Sequence, residues 1–507
     1  MDWHNFFVGL YLVILSSLGL YGIHRLILLY LFLKSKEKQS YPQTQFDELP
    51  IVTIQLPMFN ERYVAERIIE AASKIDYPKD KLEIQVLDDS TDDTQIIARR
   101  AVEEKRAEGI NIKYMHRDNR KGFKAGALDE GMKVARGEFI MVFDADFLPP
   151  PDILKKTIHY FSDEKVALVQ TRWDHINKEE SILTKVQALM LDGHFTIEHI
   201  ARSRTGRFFN FNGTAGIWRK QAIIEAGGWE HDTITEDLDL SFRVQMLKKW
   251  KFIYVPEISV PAELPSDING FKAQQFRWAK GSMQVVKKLL FKVLKANLPF
   301  KVKLEAFFHL TNNFAYVLMV PLALLILPSI LFRQEHSFKD VLLVDVPLFL
   351  STTFAIGLFY LITYRYIHGS FKGSFMRLLL LMSVGIGISL NNARAVIEGL
   401  FDKDAEFVRT PKTGVTPQSR TRSSLEILYK PPKSVTAIVE IGFATYFLIT
   451  IIVALIKLQF FAIPFLLLFF SGYSYVGIKS LLPELKLSRH YFTAEKAKTA
   501  LAIARHR

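Results

Sequence analysis

Two aspartates one residue apart, Asp144 and Asp146, close a run of apolar, strand-favouring residues from Phe139 to Phe143. The run reads as a buried strand, and the C-terminal ends of such strands are where open α/β sheets bind ligands. Hard divalent cations such as Mg²⁺ or Mn²⁺ take oxygen ligands and complete their shell with water and substrate phosphates. The pair therefore suggests a metal site that ties protein to diphosphate. A solvated turn has the same two residues, so the surroundings must decide.

Four more groups lie in the same globular stretch of the chain. Asp88 and Asp89 end a second apolar strand and suit hydrogen bonds to the base and ribose of a nucleotide, while the run to Asp92 equally suits a polar turn and helix cap. Lys121 to Leu128 opens a helix with Gly122 and Gly126 for close backbone approach and Lys124 as a point charge for phosphate; a basic turn ahead of a surface helix has the same composition. Thr235-Glu236-Asp237 starts a helix after the Gly227-Gly228-Trp229 turn. The helix dipole favours an ionised carboxylate there, as a general base requires, although acidic residues are common in any first helical turn. Gln274, Arg277 and Trp278 stand at i, i+3 and i+4, so amide, guanidinium and indole share one helix face. That face suits a sugar and a leaving diphosphate, and it also suits a helix lying on a membrane interface.

The elements that must position these groups alternate from Leu49 onward. Strands are expected over 51–56, 82–87, 112–115 and 139–143, with helices over 62–73, 94–108 and around 126–136. Alternation of this kind gives a mostly parallel sheet with helices on both faces. The chain has 507 residues, 49% of them hydrophobic and 13% aromatic, and the apolar ones gather before residue 34 and after about 305. A globular middle is thus flanked by membrane segments. Lys and Arg (65) outnumber Asp and Glu (52), and they cluster beside apolar spans, which points to a membrane rather than nucleic acid as the partner. There are no cysteines, which excludes disulfides, thiolate metal sites and Cys nucleophiles.

The first span, 6–33, is interrupted only by His24 and Arg25 and is followed by Lys34, Lys36 and Lys38, so its C-terminal end is expected in the cytoplasm. Further spans are expected over 308–332, 343–364, 436–456 and 459–479, whereas Asn391, Asn392 and Arg394 interrupt 374–398. If 374–398 is interfacial or re-entrant, both the basic stretch 403–433 and the basic tail stay on the cytoplasmic side. The expected division is an N-terminal transmembrane helix (1–33), a cytoplasmic catalytic domain (34–300), transmembrane helices with an interfacial helix (301–398), a gating-loop-like segment (399–435), a transmembrane hairpin (436–480) and a basic cytoplasmic tail (481–507).

Taken in order, Asp88-Asp89, Asp144-x-Asp146, Thr235-Glu236-Asp237 and Gln274-x-x-Arg277-Trp278 resemble the D, DxD, TED, QxxRW series of membrane-integrated inverting glycosyltransferases of family 2, the cellulose synthase group. The stretches 85–92, 209–216 and 227–229 are similar to plant cellulose synthase-like proteins of the mannan and xyloglucan backbone type, and Phe407-Val408-Arg409-Thr410-Pro411-Lys412 resembles their gating-loop motif. The resemblance implies a GT-A fold that takes a nucleotide sugar, GDP-mannose or UDP-glucose, in an integral protein of a plasma, inner or Golgi membrane. By that resemblance Asp88, Asp89, Lys124 and Asp144 bind the donor, and Asp144 and Asp146 hold Mg²⁺ or Mn²⁺. Asp237, beside Glu236, is the base. Gln274, Arg277, Trp278, Asn212, Gly213 and Thr214 serve the acceptor and diphosphate, and Phe407, Val408, Thr410 and Lys412 serve the gating loop. The implied product is a β-linked polysaccharide made processively and passed through a channel, with His309, Asn312, Asn313 and Tyr316 as candidate lining. The alternative is single transfer to a membrane lipid acceptor.

Overall fold

The computed structural model describes residues 3–38, 41–332, 344, 346–401, 412, 414 and 434–482. Among the described residues seven strands form one sheet in the order β3-β2-β1-β4-β6-β5-β7. β1 (Val52–Met58), β2 (Leu82–Asp88), β3 (Ile112–His116) and β4 (Phe139–Val142) pair in parallel. β6 (Gly216–Arg219) runs antiparallel to both β4 and β5 (Val166–His175), and β7 (Lys251–Ala262) is parallel to β5. β1 and β2 are buried at every position, as expected of strands covered on both faces, which read as continuous apolar runs. Two apolar clusters cover the two faces. One is built on Ile54, Ile68 and Phe161 and the other on Leu128, Trp218 and Trp229. Each such buried side chain contributes roughly 1.5–3 kcal/mol, which holds the sheet stiff beneath the loops.

The chain runs from β1 to β2 and β3 on one side, then returns to place β4 on the other side of β1. This reversal opens a crevice at the C-terminal ends of β1 and β4, and Asp144 and Asp146 follow β4 into it. The expected strands and helices up to residue 143 are present. The helix expected around 126–136 begins earlier, at Phe123, because Gly122 takes a left-handed φ of +73° and turns the chain into it.

Among the described residues five helices are long and apolar enough to cross a membrane: Phe6–Ser35, Phe314–Phe332, Val346–His368, Ala437–Ile456 and Phe460–Leu482. The expected span 308–332 is divided, since Phe300–Thr311 is a separate helix. Glu305 on that helix is buried against Arg202 and His24, an environment a lipid-facing span does not provide. The interrupted segment is two helices, Ser374–Gly387 and Ser389–Phe401, bent by 47°. At the bend Ser389 hydrogen-bonds Tyr473, and Asn391 donates to the Lys272 carbonyl and to Asn392, so the two asparagines that broke the apolar pattern face protein, whereas Arg394 is exposed and pairs with Glu398. Two of the four candidate channel-lining residues are likewise engaged: Asn312 accepts from Arg25 and Asn313 donates to Ser282.

Candidate active site

The loop after β4 carries both aspartates into one cleft. The Asp144 amide donates to Thr214 Oγ1 (2.9 Å), which pins the loop to the segment before β6. Its carboxylate accepts from Lys124 Nζ, which also donates to the Gly213 carbonyl (2.8 Å). Asp146 accepts from Lys412 Nζ (2.6 Å), and that ammonium also donates to the Glu263 carbonyl. Burial works against charge on Lys124 and Lys412, but Asp144 and Asp146 more than offset it and hold both ammonium groups charged.

Glu236 and Asp237 open the Glu236–Met246 helix. The Leu238 amide donates to Asp237 Oδ1 (2.8 Å), and a Cβ on Gly213 would lie 3.1 Å from Asp237 Oδ2 and 3.4 Å from Lys124 Nζ. Only a glycine, here at φ +78°, lets the backbone come this close to the Asp237 carboxylate and Lys124. The sequence suggested an ionised carboxylate at this helix start. The structure reverses the direction: burial first, then the adjacent Glu236 carboxylate, push Asp237 up to about 7. Dipole and amide stabilisation at the helix start are outweighed by desolvation.

The third wall is the Ile268–Lys295 helix, started by Asp267, whose side chain caps the Gly270 amide. Gln274, Arg277 and Trp278 all line the cleft. The helix comes close because Gly281 packs directly on Thr235, and Gln284 accepts from the Ile234 amide (2.9 Å). Arg277 is half-buried in the field of Asp144, Glu236 and Asp146.

Of the remaining expected residues, Asp89 lines the cleft and is paired with Arg117. Asp88 does not line it: the side chain is fully buried, accepting from Tyr114 (2.6 Å) and the Ser90 amide (2.9 Å), so it shapes the turn behind Asp89. Asn212 and Gly213 line the cleft and Thr214 supports Asp144. Phe407, Val408 and Thr410 lie outside the described residues. Sequence reasoning missed Trp173, His175, Arg120 and Glu263, all lining the cleft. The signal was an aromatic and a histidine at alternate positions near the end of β5, a strand that went unread.

Asp144 and Asp146 fit a divalent cation. Both carboxylates reach the same cleft, and each already attracts a cation from a different part of the chain, the role a metal would take over. The acidic group Glu230, Asp232 and Asp239 differs, because Lys288 already bridges all three.

Residues 50–281 match the family model described as glycosyltransferase like family 2. Glucomannan 4-beta-mannosyltransferase 1 from Oryza sativa subsp. japonica is 36% identical over 421 residues, spanning 80% of this chain and 78% of that protein. The chain belongs to glycosyltransferase family 2, among the cellulose synthase-like enzymes. Glucomannan 4-beta-mannosyltransferase 2 from Arabidopsis thaliana is also 36% identical, over 83% of this chain and 80% of that protein. The fold of this glycosyltransferase is shared with a mannosyltransferase from Pyrobaculum calidifontis solved with GDP-Man and Mn²⁺, at TM-score 0.53 and 22% identity over 78% of this chain and 100% of that one. The glycosyltransferase is thus a hexosyltransferase with a GT-A catalytic sheet and an α-helical membrane part.

Proposed function

We propose that this enzyme transfers mannose from GDP-mannose, or glucose from UDP-glucose, to the end of a β-1,4-linked glycan, processively and from the cytoplasmic side. The observation that carries the reading is the convergence of Asp144, Asp146, Asp237 and the Gln274-Arg277-Trp278 face in one cleft, on a helix that packs against the membrane bundle. The glucomannan mannosyltransferases among its relatives favour mannose.

In this mechanism Asp237 accepts the proton of the acceptor hydroxyl as that oxygen attacks the sugar's anomeric carbon from the face opposite the diphosphate, so configuration inverts. A base near pH 7 has both the deprotonated population and the basicity for that task. Lys124 and Arg277 neutralise the charge that grows on the departing nucleoside diphosphate, with no protein nucleophile required. A divalent cation held by Asp144 and Asp146 would add further charge stabilisation to the diphosphate. Trp278 offers an apolar face for the acceptor ring, and Asp89 and Arg120 lie where donor polar groups can be bound.

Product analysis tests the reading. Purified full-length enzyme in nanodiscs is expected to make an ethanol-insoluble product cut by an endo-β-1,4-mannanase or an endo-β-1,4-glucanase. A product confined to the organic-extractable fraction and of single-sugar length would establish the glycolipid alternative instead.

A further inference from the structure

Beneath the cleft floor lies a polar network that the transfer mechanism does not use. Asn212 donates from Nδ2 to His194 Nε2 (3.2 Å) and accepts at Oδ1 from His199 Nε2 (2.8 Å). His194 Nε2 is therefore the unprotonated nitrogen, and its Nδ1–H donates to Glu198 Oε2 (3.1 Å). Burial, then neighbouring positive groups, hold His194 well below its ordinary range, and burial and Arg202 bring His199 to about 3, so both rings are neutral. Glu198 also pairs with Arg202 (3.0 Å) and with Arg25, which comes from the Phe6–Ser35 membrane helix. Arg202 continues to Glu305 (2.8 Å), and Glu305 to His24 (3.0 Å).

Two arginines and two glutamates thus balance in a buried site, where an unpaired charge is costly. His194 and Glu198 sit on a π-helical turn, Gly193–Glu198, a geometry common at functional sites. Arg25 and His194 both direct donors at the Glu198 carboxylate, and Asn212 donates to His194, so contacts join Arg25 to Asn212 without a gap. Asn212 begins the loop whose Gly213 carbonyl holds Lys124, whose Gly213 backbone abuts Asp237, and whose Thr214 hydroxyl holds the Asp144 amide.

We propose that Arg25, in the N-terminal membrane helix, is a positioning residue for the active site: through Glu198 and His194 it fixes the Asn212 side chain and so the loop 212–214 that sets Lys124, Asp144 and Asp237. The N-terminal helix then completes the catalytic centre in addition to anchoring it. The proposal rests on the catalytic centre described above.

The chemistry gives a signature that a plain anchor lacks. Without the Arg25 charge, Glu198 is in excess beside His194. The charged and titratable groups facing His194 are then Glu198 and Arg202 next to it, with His199, His309, His24 and Glu305 in the same buried region, and the balance favours a proton on His194. A doubly protonated imidazole presents Nε2–H to Asn212 Nδ2–H, donor against donor. The amide must then turn and release the loop, more so as pH falls.

The test uses full-length enzyme in nanodiscs and measures transfer against pH, donor KM and thermal midpoint. Arg25→Met is expected to lower kcat by about 10-fold near pH 6, with a smaller loss near pH 8 and donor KM within about two-fold. Arg25→Lys should restore most of the rate. Arg25→Met with Glu198→Gln, charge-balanced and still offering His194 an acceptor, should abolish the added pH dependence. A folded Arg25→Met protein with wild-type kcat at both pH values overturns the proposal, as does a loss that is the same at both. Should Arg25→Met fail to fold, His194→Phe cuts the same link without removing an arginine; wild-type kcat in that variant also overturns the proposal. A wild-type enzyme that transfers from no nucleotide sugar would defeat the functional reading itself, which is a separate outcome.

Discussion

Asp237→Asn keeps the size of the proposed base and removes its titration, so it should stabilise the fold while abolishing transfer. An unfolded aspartate ionises near 3.8, whereas in the cleft burial and Glu236 raise Asp237 to about 7. Below about pH 4 both states hold the proton and Asp behaves as Asn would. As pH rises the unfolded chain gives up its proton first, so the wild-type fold loses stability until the folded group ionises at about 7. The gap of about three pH units corresponds to ~4 kcal/mol above pH 7, at 1.36 kcal/mol per unit, and to about 1–2 kcal/mol at pH 5. Differential scanning fluorimetry in detergent should therefore show Asp237→Asn several degrees more stable than wild type at pH 8 and less so at pH 5. Turnover should fall by roughly 10²–10⁴ with donor binding retained. An equal or lower melting temperature at pH 8, or substantial transfer, would refute the assignment of Asp237 as a desolvated base with a raised pKa.

Gly213→Ala places a methyl group 3.1 Å from Asp237 Oδ2 at φ +78°, so kcat should drop by roughly 10–100-fold, measured at saturating donor. Asp146→Asn should weaken Mn²⁺ binding in the presence of nucleoside diphosphate by more than about 10-fold, read by titration calorimetry; unchanged affinity would remove Asp146 from the metal site. Lys272 is buried against Glu440 (2.6 Å), tying the Ile268–Lys295 helix to the Ala437–Ile456 span. Lys272→Met alone should destabilise the fold by about 3–5 kcal/mol, and adding Glu440→Gln should recover much of it, as thermal unfolding will show.

How far the sequence revealed the site depended on distance along the chain. Asp144 and Asp146 were legible because a strand's apolar run ends on them, and Gln274, Arg277 and Trp278 because helical spacing alone puts them on one face. Asp88 was misplaced because an aspartate at a strand end looks the same whether it faces the cleft or turns back to Tyr114, and that choice is made by β3. The raised Asp237 could not be read either, since local sequence shows the helix start but not the Ile268–Lys295 helix that covers it. β5 and β7, long strands that carry Trp173 and Glu263 to the cleft edge, lay beyond the clear βα alternation. His24 and Arg25 were visible as interruptions of an apolar span, and charge at that depth signals a partner. The partners, Glu198 and Glu305, are assembled only by the fold.

The central claim is tested most directly by offering labelled GDP-mannose and UDP-glucose separately, with Mg²⁺ or Mn²⁺, to purified full-length enzyme in nanodiscs, with Asp237→Asn as control. The account predicts label from one donor in an ethanol-insoluble polymer, dependent on the cation and absent with the variant. No incorporation from either donor into polymer, or label equally present with Asp237→Asn, would contradict it.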